Sequence, residues 1–242
     1  MQKVENSKEI TVPSIEKMFE AGAHYGYSKS RRHPSVSPYV YATKNGGDII
    51  DLEKTTELLV KALAFVKGLG ASHKTILFVG TKPEAKVIIK NIAESLSMPY
   101  VDARWIGGTL SNFVEIKKRV AELEDYNKQL LTGGLEKYTK RERSVMSKKM
   151  EKLSLYYSGL LGLKKAPDAL FVIDSKAEHI AVTEGRKSKI KIIALANSDT
   201  NIKSIDYPIV GNDSGILSIK LFADAIAKAY KEGGMSVPEK TN

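Results

Sequence analysis

The sequence predicts an α/β protein, a parallel sheet covered on both faces by helices and interrupted by one inserted helical hairpin. Three observations predict it. TILFVG at 75–80, DALFVID at 168–174 and IKIIALAN at 190–197 are apolar runs of strand length with almost no polar alternation, the pattern of strands buried on both faces. Amphipathic helical stretches separate these runs, as βαβ units require. Between 111 and 165 the rhythm stops, and two helical periods joined at Gly133-Gly134 take its place.

Each element has a local reason. Ser14 is placed to cap a short helix, SIEKMFEAG, with Glu16 in its first turn and Gly22 as its stop. AGAHYGYSKSRRHPSVSPYVYATKNGG, residues 21–47, is broken by Pro34 and Pro38 and reads mostly as loop. Tyr39-Val40-Tyr41 and GGDIIDL read as short strands. Asp51 opens an amphipathic helix in which Leu52, Leu58, Leu59, Ala62, Leu63, Val66 and Leu69 share one face. TILFVG ends at Gly80, and the helix PEAKVIIKNIAESLS follows at once, with Pro83 tolerated in its first turn. PYVDARW is the next strand. DALFVID leads into a helical EHIAVTEGRKS; IKIIALAN is a further strand and YPIVGND a weaker one. GILSIKLFADAIAKAYKEG closes the fold as a helix.

Within the insertion, SNFVEIKKRVAELEDYNKQLL and KRERSVMSKKMEKLSLYYSGLLGL read as an antiparallel αα-hairpin. Thr139 with Glu142 forms a capping box that starts the second helix. Val114, Val120 and Leu123 are expected to face Val145, Met146, Met150, Leu153 and Tyr157 along an apolar seam. Short helices are marginal in water, so the tip at Gly133-Gly134 is expected to be mobile until something orders it. Residues 1–110 and 166–233 then make up the α/β domain, 111–165 the hairpin and 234–242 a flexible tail.

Composition narrows the function. The chain has 242 residues, 42% of them hydrophobic, and a formal net charge of +10. Such a surplus points to a polyanionic partner. Thirteen lysines and arginines against seven acids lie in 111–165, so the insertion carries six of those ten charges. No apolar run is long enough to span a bilayer, and MQKVENSKEITVP lacks the apolar core of a secretory signal. The absence of cysteine removes disulfides, thiolate metal sites and a cysteine nucleophile, and it fits a reducing compartment.

An enzyme finds little support. FVGTKPEAK is a strand, a glycine and a helix, but it is neither GxGxxG nor GxxxxGK[ST]. GGTLSN at 107–112 is a second glycine turn without a Walker lysine. His24, His33, His73 and His179 are not at metal-ligand spacing, and no GxSxG elbow is present. Asp174 in DSKAEH reads as the end of a strand and a cap for the next helix. The basic segments fare better: Lys29, Arg31, Arg32 and Lys44 are interleaved with Tyr25, Tyr27, Tyr39 and Tyr41 in a stretch without one acid between 21 and 47. Cations bind phosphates and ring faces stack on bases, so RNA bound by shape and backbone is the expected ligand.

FEAGAHYGYSKSRRHPSVSPYVY, DIIDLEKT, ILFVGTK, RWIGGTLSN, the TKRE hairpin, PDALFVIDSKAEHIAVTEG and GND, in that order from about residue 14 to 233, resemble the bacterial-type family of small-subunit ribosomal protein S-two. The resemblance implies a flavodoxin-like three-layer sandwich with an inserted coiled-coil hairpin. It also implies a non-catalytic role as a structural constituent of the small ribosomal subunit, near the head–body junction on its solvent side. The implied partners are small-subunit rRNA and neighbouring ribosomal proteins, with no membrane, small-molecule substrate or cofactor. Relatives help recruit the OB-fold ribosomal protein S-one; for this chain that partner is open, because not every organism has it. A bacterial cytoplasm is favoured over an organelle.

The candidate RNA-contacting residues are Lys29, Arg31, Arg32, Lys44, Lys82, Arg104 and Trp105. Trp105 has a second reading, as a ring packing the glycine turn against the hairpin base. One departure matters: many relatives read GAHFGH where this chain has GAHYGY, so Tyr27 stands where a histidine is usual and no metal is expected there. The rival readings are a flavodoxin-like nucleotide-binding enzyme and a free RNA-binding regulator.

Overall fold

The computed structural model describes residues 11–235. Helix α1 (Ile15–Glu20) leads into a small antiparallel sheet of β1 (Tyr25–Ser28), β2 (Val40–Lys44) and β3 (Gly47–Ile50), in the order β1-β3-β2. Strand β1 is not legible in the sequence, because it becomes a strand only by pairing with β3. Both prolines sit in one 3-10 segment, Pro34–Tyr39, preceded by a 3-10 turn at Lys29–Arg31, where irregular loop was expected. The chain continues through α2 (Leu52–Ala71), β4 (Ile76–Val79), α3 (Pro83–Ser95) and β5 (Tyr100–Val101). The hairpin helices α4 (Phe113–Leu131) and α5 (Lys140–Tyr157) follow. Strand β6 (Ala169–Ile173), α6 (His179–Lys187), β7 (Lys191–Ala196), β8 (Tyr207–Val210) and α7 (Ile216–Met235) complete the fold.

Strands β4 to β8 form a fully parallel sheet in the order β5-β4-β6-β7-β8. This is the flavodoxin-like order, two-one-three-four-five along the chain. Strand alternation divides the core cleanly. Ile76, Phe78, Phe171, Ile173 and Leu195 pack on one face with Leu59, Leu63, Ile89, Phe222 and Ile226 of α2, α3 and α7. Leu77, Val79, Leu170, Val172 and Ala194 face the other way, onto Ala181 and Val182 of α6. Among the described residues, one ordinary crossover helix, α6, covers this second face. The rest of its cover comes from Val36 and Ile50 of the N-terminal segment, and from Ile116, Val120, Tyr157 and Leu160 at the hairpin base.

Helices α2 and α7 meet backbone to backbone. A Cβ on Gly70 would lie 2.1 Å from the carbonyl oxygen of Tyr230, and one on Gly233 2.1 Å from that of Lys67. This contact keeps α7 helical through Met235. A tail starting at 234 is therefore two residues too early, and residues 236–242 of that expected tail lie outside the described residues.

The Thr139–Glu142 capping box is present, with both reciprocal bonds formed. The seam differs from expectation. Val114 and Val145 are 68% and 64% exposed, whereas Ile116, absent from the expected set, is buried with Val120 and Leu123 against Met150 and Tyr157. Steps of four and three residues join Ile116, Val120 and Leu123, and likewise Met146, Met150, Leu153 and Tyr157. Val114 and Val145 fall off those stripes. Lys149 and Glu122 form an ion pair across the hairpin.

Candidate nucleic-acid interface

In an open α/β sheet, ligands sit outside the strand C-termini, at the point where the strand order reverses. Here that point lies between β4 and β6. The loops ending β4 to β8 all emerge on this edge, and the basic N-terminal segment is laid across them. Tyr27 N donates to Ser198 Oγ at 2.9 Å and His33 N to Ser198 O at 2.8 Å. Asn212 binds the segment twice, donating its N to Ala23 O and its Nδ2 to Gly22 O, each at 3.0 Å. Ser35 Oγ accepts from Ile202 N at 3.2 Å.

The crevice beneath is filled by the protein's own charges. Lys82 Nζ lies 2.5 Å from Asp174 Oδ2 and 3.3 Å from Asp213 Oδ2. Burial opposes its charge, but the pull of Asp213 and the hydrogen bond and charge of Asp174 outweigh burial and raise its pKa above the ordinary lysine value. Asp213, buried and beside Asp174, is shifted upward despite Lys82 and the Asn197 amide that donates to it at 3.0 Å. Burial likewise raises Glu178, which accepts from the Thr81 hydroxyl. Asp174 has φ +59°, a left-handed conformation that aspartate tolerates better than most residues. Its Oδ1 accepts from Lys176 N at 3.1 Å and Ala177 N at 3.0 Å, turning the chain toward α6. A nucleotide phosphate at this place would have to displace this ion-paired cluster.

The second glycine turn is closed in the same way. Gly108 N, Leu110 N and Ser111 N donate to the buried Glu184 carboxylate at 2.6, 2.9 and 3.3 Å. Three converging amides are the makings of an anion site, and a side chain of α6 already occupies it. Glu184 thereby fixes the turn from which the hairpin departs.

The candidate RNA-contacting residues divide into two groups. Lys29, Arg31, Lys44 and Arg104 are exposed. Lys29 and Lys44 flank the turn at 45–47, where Lys29 N donates to Gly46 O and Lys44 pairs with Gly47. Arg104 follows β5 on the same edge of the main sheet. The other three are turned inward. Lys82 belongs to the ion cluster. Trp105 is 4% exposed and packs with Leu110 and Ile116, so the ring supports the hairpin base and is not presented for stacking. Arg32 is bidentate to Asp48, with Nε donating to Oδ2 at 2.7 Å and Nη2 to Oδ1, and Nη2 also reaches Thr43 Oγ1 at 2.6 Å. The guanidinium lowers the pKa of Asp48, whose side chain is fully buried, and with its contact to Thr43 of β2 it ties the end of the Lys29–Arg31 turn to β3.

Two residues, Lys176 and Asp199, escaped the sequence reading. Lys176 Nζ and Arg31 Nη2 both donate to Asp199 Oδ2, each at 2.9 Å. Arg31 also lies over the Tyr27 ring, 4.1 Å from its centroid. The Tyr27 hydroxyl is 2.8 Å from Ser214 Oγ, so the phenol has a partner of its own. Among the described residues, no three His, Asp or Glu side chains are grouped to hold a metal ion.

The ligand crevice of this flavodoxin-like domain is thus closed by its own ion pairs, and its exposed cations lie on a loop-covered edge and a projecting hairpin. Comparison with known proteins gives the family. The model described as Ribosomal protein S2 matches residues 18–233. The small ribosomal subunit protein uS2 of Thermus thermophilus is 42% identical over 229 residues, covering 93% of this chain and 89% of that protein. Its counterpart in Coprothermobacter proteolyticus is 39% identical over 224 residues, covering 93% and 84%, and that of Nitratiruptor sp. 40% over 220 residues, covering 91% and 82%. The chain belongs to the ribosomal protein S2 family. Its role is structural and non-catalytic, as a constituent of the small ribosomal subunit.

Proposed function

We propose that this chain holds small-subunit rRNA by its phosphate backbone, along the sheet edge covered by the N-terminal segment and along the hairpin. The observation that carries the reading is the lay of residues 22–50 across the strand C-termini. It closes the crevice a small ligand would use and leaves Lys29, Arg31 and Lys44 exposed. On the hairpin, Lys117, Lys128, Lys140, Arg141, Arg143, Lys148 and Lys152 are exposed as well. Neighbouring ribosomal proteins complete the site. Recruitment of S-one and residence in a bacterial cytoplasm belong to the same reading; the first rests on the sequence resemblance, and the second is supported by the bacterial relatives.

The test is joint replacement of Lys29, Lys44 and Arg104 by Ala. Co-sedimentation with small subunits in sucrose gradients should fall. The salt slope of binding to an rRNA transcript should flatten by about 0.7 to 0.9 per lost phosphate contact. An unchanged slope overturns the assignment of this edge. Co-sedimentation also separates a ribosomal constituent from a free RNA-binding regulator.

A further inference from the structure

We propose that Asp199 is a positioning residue that holds Arg31 and Lys176 together as one clamp for an RNA backbone phosphate. The inference rests on the RNA-binding reading above and goes beyond it by naming a built subsite and the carboxylate that organises it. Three elements far apart in sequence supply the parts: the N-terminal segment, the loop after β6 and the loop after β7. Both cationic nitrogens lie within hydrogen-bonding reach of the same oxygen, Asp199 Oδ2, at 2.9 Å each. The Asp199 side chain is 2% exposed, whereas those of Arg31 and Lys176 are each 53% exposed. The anion is thus sunk in the protein and the two cations stand over it at the surface.

Charge and geometry both point outward from there. One carboxylate faces two cations, so a unit of positive charge is left over at the site. A guanidinium has five N–H donors and an ammonium three, and Asp199 uses one of each. Two cations this close repel, and without Asp199 they would separate into solvent. With it they are held side by side before any ligand arrives, which reduces the side-chain ordering that binding would otherwise cost.

The surroundings fix both arms. The Arg31 guanidinium rests on the Tyr27 ring, and Tyr27 is itself held by Ser198 and Ser214. The backbone of Lys176 is pinned by Asp174 Oδ1. A phosphate is the anion that suits a planar fork beside a point charge.

Asp199→Asn gives the deciding experiment, because two accounts predict opposite signs. If Arg31 and Lys176 act only through net charge, removing a carboxylate strengthens binding to an rRNA transcript. If Asp199 positions them, binding weakens about three- to ten-fold although the protein has become more positive. Lys176→Ala should weaken binding by a similar factor and flatten the salt slope by about 0.7 to 0.9. In the Asp199→Asn background, Lys176→Ala should add little further loss.

Equal or tighter binding by Asp199→Asn overturns the proposal, as do Arg31→Ala and Lys176→Ala effects that simply multiply. Should Asp199→Asn fail to fold by circular dichroism, that pair of half-exposed substitutions and their double variant decide alone. A wild-type protein that does not bind the transcript would instead sink the broader RNA-binding reading.

Discussion

The sheet and the hairpin are built on opposite terms. All five residues of β6 are buried, whereas α5 buries only Met150 and Tyr157 of its eighteen. The sheet is held by apolar side chains packed on both faces, a non-directional force that needs no partner. The hairpin is held by a thin seam and by local devices, the Thr139–Glu142 capping box and the Lys118–Glu115 and Lys149–Glu122 ion pairs. Such devices stand in water, which screens them, and each contributes little. The many exposed lysines and arginines of this segment add little to its stability; in the function proposed above they serve contact. The boundary between the regions is not where the helices begin. Ile116, Tyr157 and Leu160 belong to the second face of the sheet core, so the hairpin's foot is part of the body.

The sharpest way to break this comparison is deletion. Replacing 111–165 with a glycine linker uncovers Trp105, Leu110 and the strand residues beneath them. It should lower the melting temperature severely or prevent folding. Replacing only 123–148 keeps Ile116, Val120, Met150 and Tyr157, and should leave the melting temperature within a few degrees while still impairing assembly into small subunits. Equal melting temperatures for the two deletions would show that the foot is not part of the core.

Core truncations sharpen the contrast by location. Phe171→Ala, at the middle of β6, should cost about 3 to 5 kcal/mol of global stability in chemical denaturation. Leu123→Ala removes a comparably buried side chain from the seam, yet its loss should appear mainly as faster hydrogen exchange of α4 and α5 amides, with a smaller global change. Tip amides near Gly133-Gly134 should exchange faster than those of β4 even in the wild-type protein. Equal protection would show the hairpin to be rigid on its own.

A further effect concerns the N-terminal segment that covers the sheet edge. Arg32→Ala leaves the buried Asp48 carboxylate with only Thr43, at a cost of roughly 2 to 3 kcal/mol near neutral pH. The sign with pH follows from the lowered pKa of Asp48. The pair's contribution is fully present above the unfolded carboxylate value of about 4 and is lost as pH falls through the folded value. The stability gap between wild type and Arg32→Ala should therefore narrow below about pH 4. A gap independent of pH would mean that Arg32 acts by packing and not by charge.

Much of the scaffold was legible because its causes are local. The strands TILFVG and DALFVID follow from apolar runs, and the Asp51 and Thr139 caps from a side chain and an amide two or three residues apart. The candidate interface was legible only in part. Lys29, Arg31, Lys44 and Arg104 stay exposed, as a basic loop suggests. Lys82, Arg32 and Trp105 were read as contacts because a cation or an indole on a loop looks available, but its burial depends on what folds over it. Lys176 and Asp199 gave no signal, since nothing near either residue names the other.

By itself the sequence determined the α/β class, the place of the insertion, the excess of positive charge and the family, since hydrophobic period, glycine and proline positions and residue counts are properties of the chain. Tertiary structure alone decided which cations face out. Arg31 and Asp199 are 168 residues apart, and Arg32 and Asp48 sixteen. A neighbouring pair of arginines is thus split, one to a surface clamp and one to a buried joint. The physical reason is that a charge leaves water only where an opposite charge waits for it, and the fold, by stacking β6, β7 and the N-terminal segment at one edge, chooses where those opposite charges lie.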